Sequence, residues 1–335
     1  MSVSSEPPLE PLLFQRRAQP AVWGGRALAE QLGVASETDE PIGETWELSD
    51  LPGAETRVRG GAFDGCLLHE LLAERADEIL GESRAGRDGR FPLLVKFIEA
   101  RQDLSVQVHP RDGDLGLTVP GKTEAWYFLP DCTPEARVIA GLKPGAAVEA
   151  FARDAASRAV LDHLRETRVH SGDCLLIQAG TPHSIRAGAV LLEVQQSSDV
   201  TLRMYDWDRV GLDGQPREIH VDQALQVIDF AASAPEVVRA SFPPSDPPPL
   251  ARIAPLASCE FFRLHEVRLT GAADHDPEGF ARVLVVVDGS GTVSGPSGEA
   301  KPLRFGDTIL LPARLGATAF EPGPRGLHLI EAVAL

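Results

Sequence analysis

The first residues that could do chemistry lie in the segment at 104–110, whose sequence is LSVQVHP. Its polar and apolar side chains alternate, so an extended strand would place Ser105, Gln107 and His109 on one face. An amide oxygen and an imidazole two residues apart on that face could both reach one metal ion. A lone strand histidine is more often a hydrogen-bonded structural residue, so both interpretations stay open for this segment alone.

Two further segments add potential ligands of the same kind. Glu124 begins an apolar run after the glycine turn GKT, and His183 ends the turn GTPH at the end of a later apolar run. Two imidazoles, one carboxylate and one amide oxygen form a nitrogen and oxygen donor set that suits Zn²⁺ or a similar divalent ion. The residues therefore predict a metal site that keeps an open position for substrate or water.

A carboxylate and an arginine follow on two later runs. Glu193 stands in the apolar run 189–196, where a buried carboxylate is rare without a partner. Arg203 lies ten residues further on, in the run 200–205. An inward arginine could pair with Glu193 or Asp199, or it could contact a substrate anion. These alternatives stay open at this point.

Short strands must position these residues. The chain has 335 residues, with 31 glycines and 27 prolines between its runs of valine, leucine and isoleucine. The runs recur at intervals of about ten residues, which predicts a mainly β sandwich or barrel. Helical periodicity interrupts the runs at about 66–81, ending at Gly81, at about 145–168, and at 221–230. We expect a small helical layer inserted around a β domain.

The distribution of proline predicts two domains. Prolines cluster at 231–250, where fixed φ angles and missing amide donors oppose helix and central strand. We predict a metal-binding domain at 1–230, a linker at 231–250 and a second β domain at 251–335. The dipeptide GD at 172–173 recurs at 306–307. Aligning the two copies places Ala317 opposite His183. The second domain is therefore expected to lack the metal ligands.

Composition limits the partners of the protein. With 32 basic and 49 acidic side chains the net charge is −17, which argues against binding nucleic acid or an anionic membrane. An anionic substrate would need a local basic pocket. No apolar run approaches the length of a transmembrane helix. The four cysteines are widely spaced, which is typical of isolated thiols in a reducing compartment, so we expect a cytoplasmic protein.

Four motifs in one order carry a resemblance to a known family. They are QVHP at 107–110, GKTE at 121–124, GTPH at 180–183 and RMYDWDR at 203–209. With them the chain resembles type I mannose-6-phosphate isomerases (phosphomannose isomerases) of the short bacterial form, in the cupin superfamily. The resemblance implies two cupin domains, which are jelly-roll type β-barrels, with helical additions. It also implies an aldose–ketose isomerase that interconverts mannose 6-phosphate and fructose 6-phosphate by metal-assisted proton transfer through an enediol.

The resemblance also assigns roles by position. One Zn²⁺ per chain, or another divalent metal, would be bound by Gln107, His109, Glu124 and His183. Arg203 would be the catalytic arginine. For the base we prefer Glu193 over Asp199, because an apolar strand face raises the pKa of a carboxyl group. The remaining candidates, for substrate binding, are Ser105, Lys96, Lys122, Asp199 and Arg209.

Two other functions stay open. One is a metal-dependent cupin dioxygenase, which would need iron or copper and an apolar channel, and the other is a non-catalytic sugar-sensing cupin. Basic side chains around the ligand motifs favour a phosphorylated sugar, and the intact ligand set favours catalysis. We therefore expect a small-molecule sugar phosphate as the partner, with no nucleic acid and no membrane, and a monomer or homodimer.

Overall fold

Strands dominate the computed structural model, which describes residues 7–34, 39–316 and 318–335. The strands, numbered along the chain, are β1 (Leu12–Gln15), β2 (Arg17–Gly25), β3 (Ile42–Leu48), β4 (Arg57–Arg59), β5 (Leu93–Glu99), β6 (Val106–Val108), β7 (Glu124–Phe128), β8 (Arg137–Leu142), β9 (Leu164–Arg168), β10 (Asp173–Ile177), β11 (His183–Ile185), β12 (Val190–Gln196), β13 (Leu202–Tyr205), β14 (Val238–Arg239), β15 (Ala251–Ser258), β16 (Phe262–Leu269), β17 (Ala273–His275), β18 (Arg282–Ser294), β19 (Ala300–Arg304), β20 (Thr308–Leu311) and β21 (Thr318–Ala334). The α-helices are α1 (Ala27–Gln31), α2 (Leu68–Leu80), α3 (Val148–Asp154) and α4 (Val221–Val227). The predicted class, mainly β with helical insertions, is confirmed. None of the helices in the described ranges is long and apolar enough to cross a membrane.

Contacts divide the chain into two units that differ from the predicted contiguous domains. The site unit contains the described residues of 17–46 and 94–239, and the C-terminal unit contains those up to residue 16, 47–93 and 240–335. The predicted domain at 1–230 therefore contributes two segments to the C-terminal unit. The reason is strand pairing between distant parts of the chain, because β1 pairs with β20, with Leu12 opposite Leu310.

The C-terminal unit contains one sheet in the described residues, with the order β15-β16-β21-β18-β20-β1-β4, while β17 pairs with β21 and β19 with β18. Helix α2 also belongs to this unit, within the range predicted at about 66–81. The helix ends before Gly81, whose φ of 58° lies in the left-handed region that glycine adopts most easily.

The site unit is built from two sheets. The larger sheet has the order β14-β10-β7-β12-β5-β3-β2, and the smaller sheet has the order β13-β6-β11-β8-β9. A core of fully buried side chains combines Trp126 and Leu175 of the larger sheet with Val138 and Ile185 of the smaller sheet. Burial of this apolar surface holds the two sheets face to face.

Helices cover the outer face of the smaller sheet. Val106 and Val108 of β6 pack in a second buried cluster with Phe151 of α3 and Met204 of β13. Because side chains alternate along a strand, Gln107 points to the opposite face, toward the space between the sheets. The packing of the helical layer therefore determines which way the ligand strand β6 faces.

The helix predicted at about 145–168 is only partly correct. Helix α3 covers its first part, a 3₁₀ helix follows at Arg158–His163, and the last residues form β9. Strand β9 pairs with β8 at the edge of the smaller sheet, with Arg137 opposite Arg168. The hydrogen bonds of this pairing outweigh a weak helical pattern.

Replacing Phe151 with alanine is expected to destabilise the site unit. The side chain is fully buried, and its ring lies 5.6 Å from the Phe230 ring. Truncating a buried phenylalanine typically costs about 3–5 kcal/mol of unfolding free energy. Urea denaturation would measure the loss, with Val148→Ala as the control, because Val148 on the same helix is exposed. A loss equal to that of the control would show that Phe151 does not anchor the helical layer.

Candidate metal centre and active site

Strand pairing brings the four predicted ligands together. Gln107 lies on β6 and His183 begins β11, and these two residues are directly opposite each other in the smaller sheet. His109 follows β6 by one residue, and Glu124 begins β7 of the larger sheet. The ligands therefore come from both sheets of the site unit and meet at one end of the space between them.

The ligand atoms of this cluster are close and buried. His109 Nε2 lies 3.4 Å from Glu124 Oε2, and His183 Nε2 lies 3.5 Å from Glu124 Oε1. Gln107 Nε2 is 3.3 Å from His183 Nε2. The two histidines and the glutamate are each only 1% exposed, and their ligand atoms lie within 4.8 Å of one another.

Hydrogen bonds to the backbone orient both imidazoles. Nδ1–H of His109 donates to the Val200 carbonyl at 2.7 Å, and Nδ1–H of His183 donates to the Thr181 carbonyl at 2.8 Å. This fixes the tautomer in which each Nε2 carries a lone pair, and the two Nε2 atoms converge on Glu124. Metal-binding histidines are commonly held by such an outer hydrogen bond.

The environment gives the cluster the protonation states that a metal requires. Burial lowers the pKa of His109 to about 3, assisted by the Lys122 ammonium, and burial also lowers the pKa of His183. Burial alone would raise the pKa of Glu124, but Lys122 and the imidazoles hold it well below its usual value. Two neutral imidazoles and one carboxylate fit a zinc site.

The cluster lies in the site unit. Within the ranges that the structure describes, it is the one group of three or more histidine, cysteine, aspartate or glutamate side chains close enough to share a metal ion. The prediction that the second domain lacks ligands depended on Ala317, which lies outside the described residues.

Glu193 is buried beside the cluster on β12. Its Oε1 lies 3.1 Å from Lys96 Nζ and 3.6 Å from Lys122 Nζ, and its Oε2 accepts a hydrogen bond of 3.0 Å from Trp126 Nε1. Burial and the nearby Glu124 carboxylate raise the pKa of Glu193, while the two lysines oppose this. A carboxylate whose pKa is raised toward neutrality is suited to exchanging protons.

The lysines are both paired with carboxylates. Lys96 Nζ lies 3.2 Å from Glu44 Oε2 in addition to its contact with Glu193. Lys122 Nζ lies 2.8 Å from Glu124 Oε2 and 3.2 Å from His109 Nε2. Burial would lower the pKa of Lys96, but the Glu193 and Glu44 carboxylates raise it on balance, so Lys96 stays charged.

Arg203 reaches the same space from the smaller sheet. It lies on β13 directly opposite Gln107 on β6, and its Nη1 donates a hydrogen bond of 2.9 Å to the Glu218 carbonyl. Its guanidinium therefore lies on the wall of the site unit that also carries Gln107.

One cavity of about 230 Å³ joins these groups. The predicted site residues that line it are Ser105, Gln107, Lys96, Lys122, Glu124, Glu193 and Arg203. The two histidines are buried behind Glu124. Two predicted substrate-binding residues are not part of the lining. Asp199 is exposed, because it lies in the connection between β12 and β13, and Arg209 is paired with Asp206 at 2.8 Å.

Among the lining residues that were not predicted from the sequence, three carry a charge or a hydrogen bond that bears on the site. Trp126 follows Glu124 by two positions on β7, so alternation alone could have placed both side chains on one face. Glu44 lies on β3, and its carboxylate accepts a hydrogen bond from Trp46 on the same strand. Arg217 lies in an irregular segment after β13, where no periodic pattern indicates its position.

Sequence comparisons agree with the geometry. The family model for the catalytic domain of phosphomannose isomerase type I matches residues 12–140. Mannose-6-phosphate isomerase ManA of Bacillus subtilis (strain 168) is 34% identical over 322 residues, which cover 93% of this chain and 96% of the relative. The mannose-6-phosphate isomerase of Streptococcus mutans serotype c is 31% identical over 326 residues, covering 93% and 95%.

A solved structure supports the same assignment. The mannose 6-phosphate isomerase from Bacillus subtilis superposes with a TM-score of 0.86 at 28% identity, covering 97% of this chain and 99% of that chain. The fold and the ligand cluster define a metal-site cupin. The enzymes to which it is similar are isomerases. More narrowly, the chain belongs to the type I phosphomannose isomerase family, the mannose-6-phosphate isomerases.

Proposed function

We propose that this protein is an isomerase that interconverts mannose 6-phosphate and fructose 6-phosphate. The observation that carries the proposal is a cavity lined by Glu124 of the ligand cluster, by the buried acid Glu193 and by the arginine Arg203. The reaction moves a proton between C1 and C2 of an open-chain sugar through an enediol. It needs a group that exchanges protons and a cationic environment for the oxygen that becomes negative, and the cavity offers both.

We propose that His109, Glu124 and His183 bind one Zn²⁺, or another divalent metal, with Gln107 as the fourth ligand. When bound, the metal supplies a Lewis acid that polarises the sugar oxygens. The Gln107 amide accepts a hydrogen bond of 2.9 Å from Ser105 Oγ. A hydroxyl can donate or accept, so the amide can turn its oxygen toward the histidines and stay hydrogen-bonded to Ser105.

Side chains that line the cavity transfer the proton and stabilise the negative charge. Glu193 takes the proton from C2 and returns it to C1, while the hydroxyl proton of O2 passes to O1. The C1 aldehyde thus becomes a hydroxyl group and the C2 hydroxyl becomes a carbonyl, and no oxidant or reductant is needed. Lys96 and Lys122, which flank Glu193, place positive charge where the enediolate oxygens form. Trp126 holds the Glu193 carboxylate in place through its hydrogen bond to Oε2.

Replacing Arg203 with alanine is expected to lower kcat while the metal stays bound. Its guanidinium contacts none of the three buried ligands in the structure, and its role is to stabilise developing negative charge. Removing one such donor typically costs about 10²–10³ in kcat. Steady-state kinetics together with metal analysis of the purified protein would check this. Loss of the metal along with activity would assign Arg203 a structural role instead.

The proposed function is tested by a coupled assay that follows fructose 6-phosphate formed from mannose 6-phosphate. Chelated protein and protein resupplied with Zn²⁺, Mn²⁺ or Co²⁺ are compared side by side. We expect turnover that depends on the metal. Folded, metal-loaded protein without turnover would favour a sugar-sensing cupin, and oxygen consumption with a non-phosphorylated substrate would favour a dioxygenase.

We further propose a cytoplasmic location and a small-molecule sugar phosphate as the partner, without nucleic acid or membrane. The cysteines are present as thiols, which supports a reducing compartment, and the net charge of −17 opposes binding to polyanions. We also propose a monomer or homodimer, which size-exclusion chromatography with light scattering would distinguish from larger assemblies.

A further inference from the structure

The cationic side chains at the cavity form two groups with different charge balance. In the first group, Lys96 and Lys122 lie among Glu44, Glu124 and Glu193, each ammonium within 3.2 Å of a carboxylate oxygen. Both ammonium groups are thus already paired with carboxylates, and Glu124 is also a proposed metal ligand. Few of their N–H donors are left for the oxygens of a phosphate group.

The second group is positive. Arg203, Arg209 and Arg217 lie around one buried carboxylate, Asp206. Arg209 Nη2 lies 2.8 Å from Asp206 Oδ1, and Arg217 Nε lies 2.7 Å from Asp206 Oδ2. Burial, together with the neighbouring guanidinium of Arg217, lowers the pKa of Arg203. Two further carboxylates act on this group, but Glu218 is exposed to solvent and Asp103 is paired with Arg186 at 3.0 Å. Asp206 is therefore the main carboxylate that balances three guanidinium groups, and an anion here would be stabilised.

Within this group, Arg217 is placed differently from Arg209. Arg217 lines the cavity with Arg203, whereas Arg209 is not part of the lining. Asp206 binds Arg217 through Nε and Nη2, which fixes the plane of the guanidinium. Among the contacts of the described residues, Nη1 of Arg217 has no protein partner. A fixed guanidinium with an available N–H edge is the geometry that binds phosphate oxygens well.

We propose that Arg217 holds the phosphate group of the substrate, and that Asp206 is the positioning residue for Arg217. This inference rests on the proposed function and assigns the phosphate to the arginine side of the cavity. Lys96 and Lys122, which the resemblance suggested as substrate-binding residues, then act near the reacting carbons. Arg209, another of these candidates, completes the pairing of Asp206 and does not touch the phosphate.

Arg217→Gln and Arg209→Gln are a matched pair for the test, because each removes one positive charge from the same carboxylate. We expect Arg217→Gln to raise KM for mannose 6-phosphate by about 10- to 100-fold with a much smaller change in kcat, as loss of a charge-assisted contact made equally in ground and transition states predicts. Arg209→Gln should leave KM within about threefold of the wild-type value. Equal effects of the two variants would overturn the inference.

A binding measurement separates this inference from the proposed function. Inorganic phosphate is titrated into wild-type protein and both variants by calorimetry, and its inhibition of turnover is measured in parallel. If the wild type lacks isomerase activity but phosphate binding is lost only in Arg217→Gln, the proposed function fails and the anion site stands. If the wild type isomerises but Arg217→Gln binds phosphate normally, the inference fails alone.

Two further variants keep the result interpretable. Arg217→Lys retains the charge but loses the two-point contact with Asp206, so we expect a KM between those of wild type and Arg217→Gln. It also serves if Arg217→Gln does not fold, which a thermal melt would reveal. Lys96→Met should lower kcat more than it raises KM. A large rise in KM for Lys96→Met, with KM unchanged in Arg217→Lys, would show that the lysines bind the phosphate and Arg217 does not.

Discussion

Alanine at His183 is expected to remove bound metal and isomerase activity together. The imidazole is 1% exposed, and its Nε2 faces Glu124 at 3.5 Å, so no neighbouring side chain can replace it without rearrangement. The loss of metal affinity should exceed the roughly 10–100-fold that removal of an outer hydrogen-bond partner costs. Metal content after dialysis, measured by atomic emission, and turnover at saturating sugar would both be recorded.

His170→Ala is the matched control for this experiment. His170 is exposed and lies beside Asp173, away from the cavity lining, so its removal should change neither metal content nor turnover. Partial rescue of His183→Ala by high concentrations of Zn²⁺ would agree with a weakened site. Full activity in metal-free His183→Ala would show that the reaction does not need the metal.

Glutamine at Glu193 should abolish most of the turnover while the metal stays bound. The substitution keeps the shape of the side chain, and its amide oxygen can still accept the hydrogen bond from Trp126. What it loses is the ability to exchange a proton, which typically costs about 10²–10⁴ in kcat. Proton NMR in D₂O would give a second readout, since exchange of the C2 proton of mannose 6-phosphate should slow in parallel with turnover.

Asp199→Asn is the comparison that decides between the two acids considered as the base. Asp199 is exposed on the connection before β13, so we expect nearly unchanged kcat and exchange. If Asp199→Asn slowed exchange more than Glu193→Gln, the assignment of the base would be reversed. If Glu193→Gln lost the metal as well, its role would be to stabilise the ligand cluster through Lys122.

The strand pattern was the part of the fold that the sequence could predict. Alternation over 105–109 predicted one face for Ser105, Gln107 and His109. In the structure Ser105 and Gln107 line the cavity and His109 belongs to the ligand cluster, while Val106 and Val108 pack in the core. Alternation could not predict where strands continue through glycine. Strand β18 passes through Gly289 and continues to Ser294, with bulges in its pairing to β21.

Local sequence patterns do not indicate which distant strands pair with each other. Nothing near residues 12–15 indicates that this strand pairs with β20, so the contiguous domain predicted at 1–230 missed it. The same limit applies to the site. The ligands could be found because each lies in a recognisable strand or turn, whereas Arg217 is brought to the cavity by its contacts with Asp206 across an irregular segment.

The two units are built from alternating segments of the chain, so a truncation at one point cannot separate them. A fragment that ends at residue 239 keeps every residue proposed for metal and substrate binding, yet it also carries β1 and β4, which belong to the other unit. Without β20, the backbone edge of Leu12–Gln15 would be open to pairing with other chains. Strand β1 therefore cannot be separated from residues 240–335 without opening this edge, so a cut at residue 239 divides one unit instead of separating two.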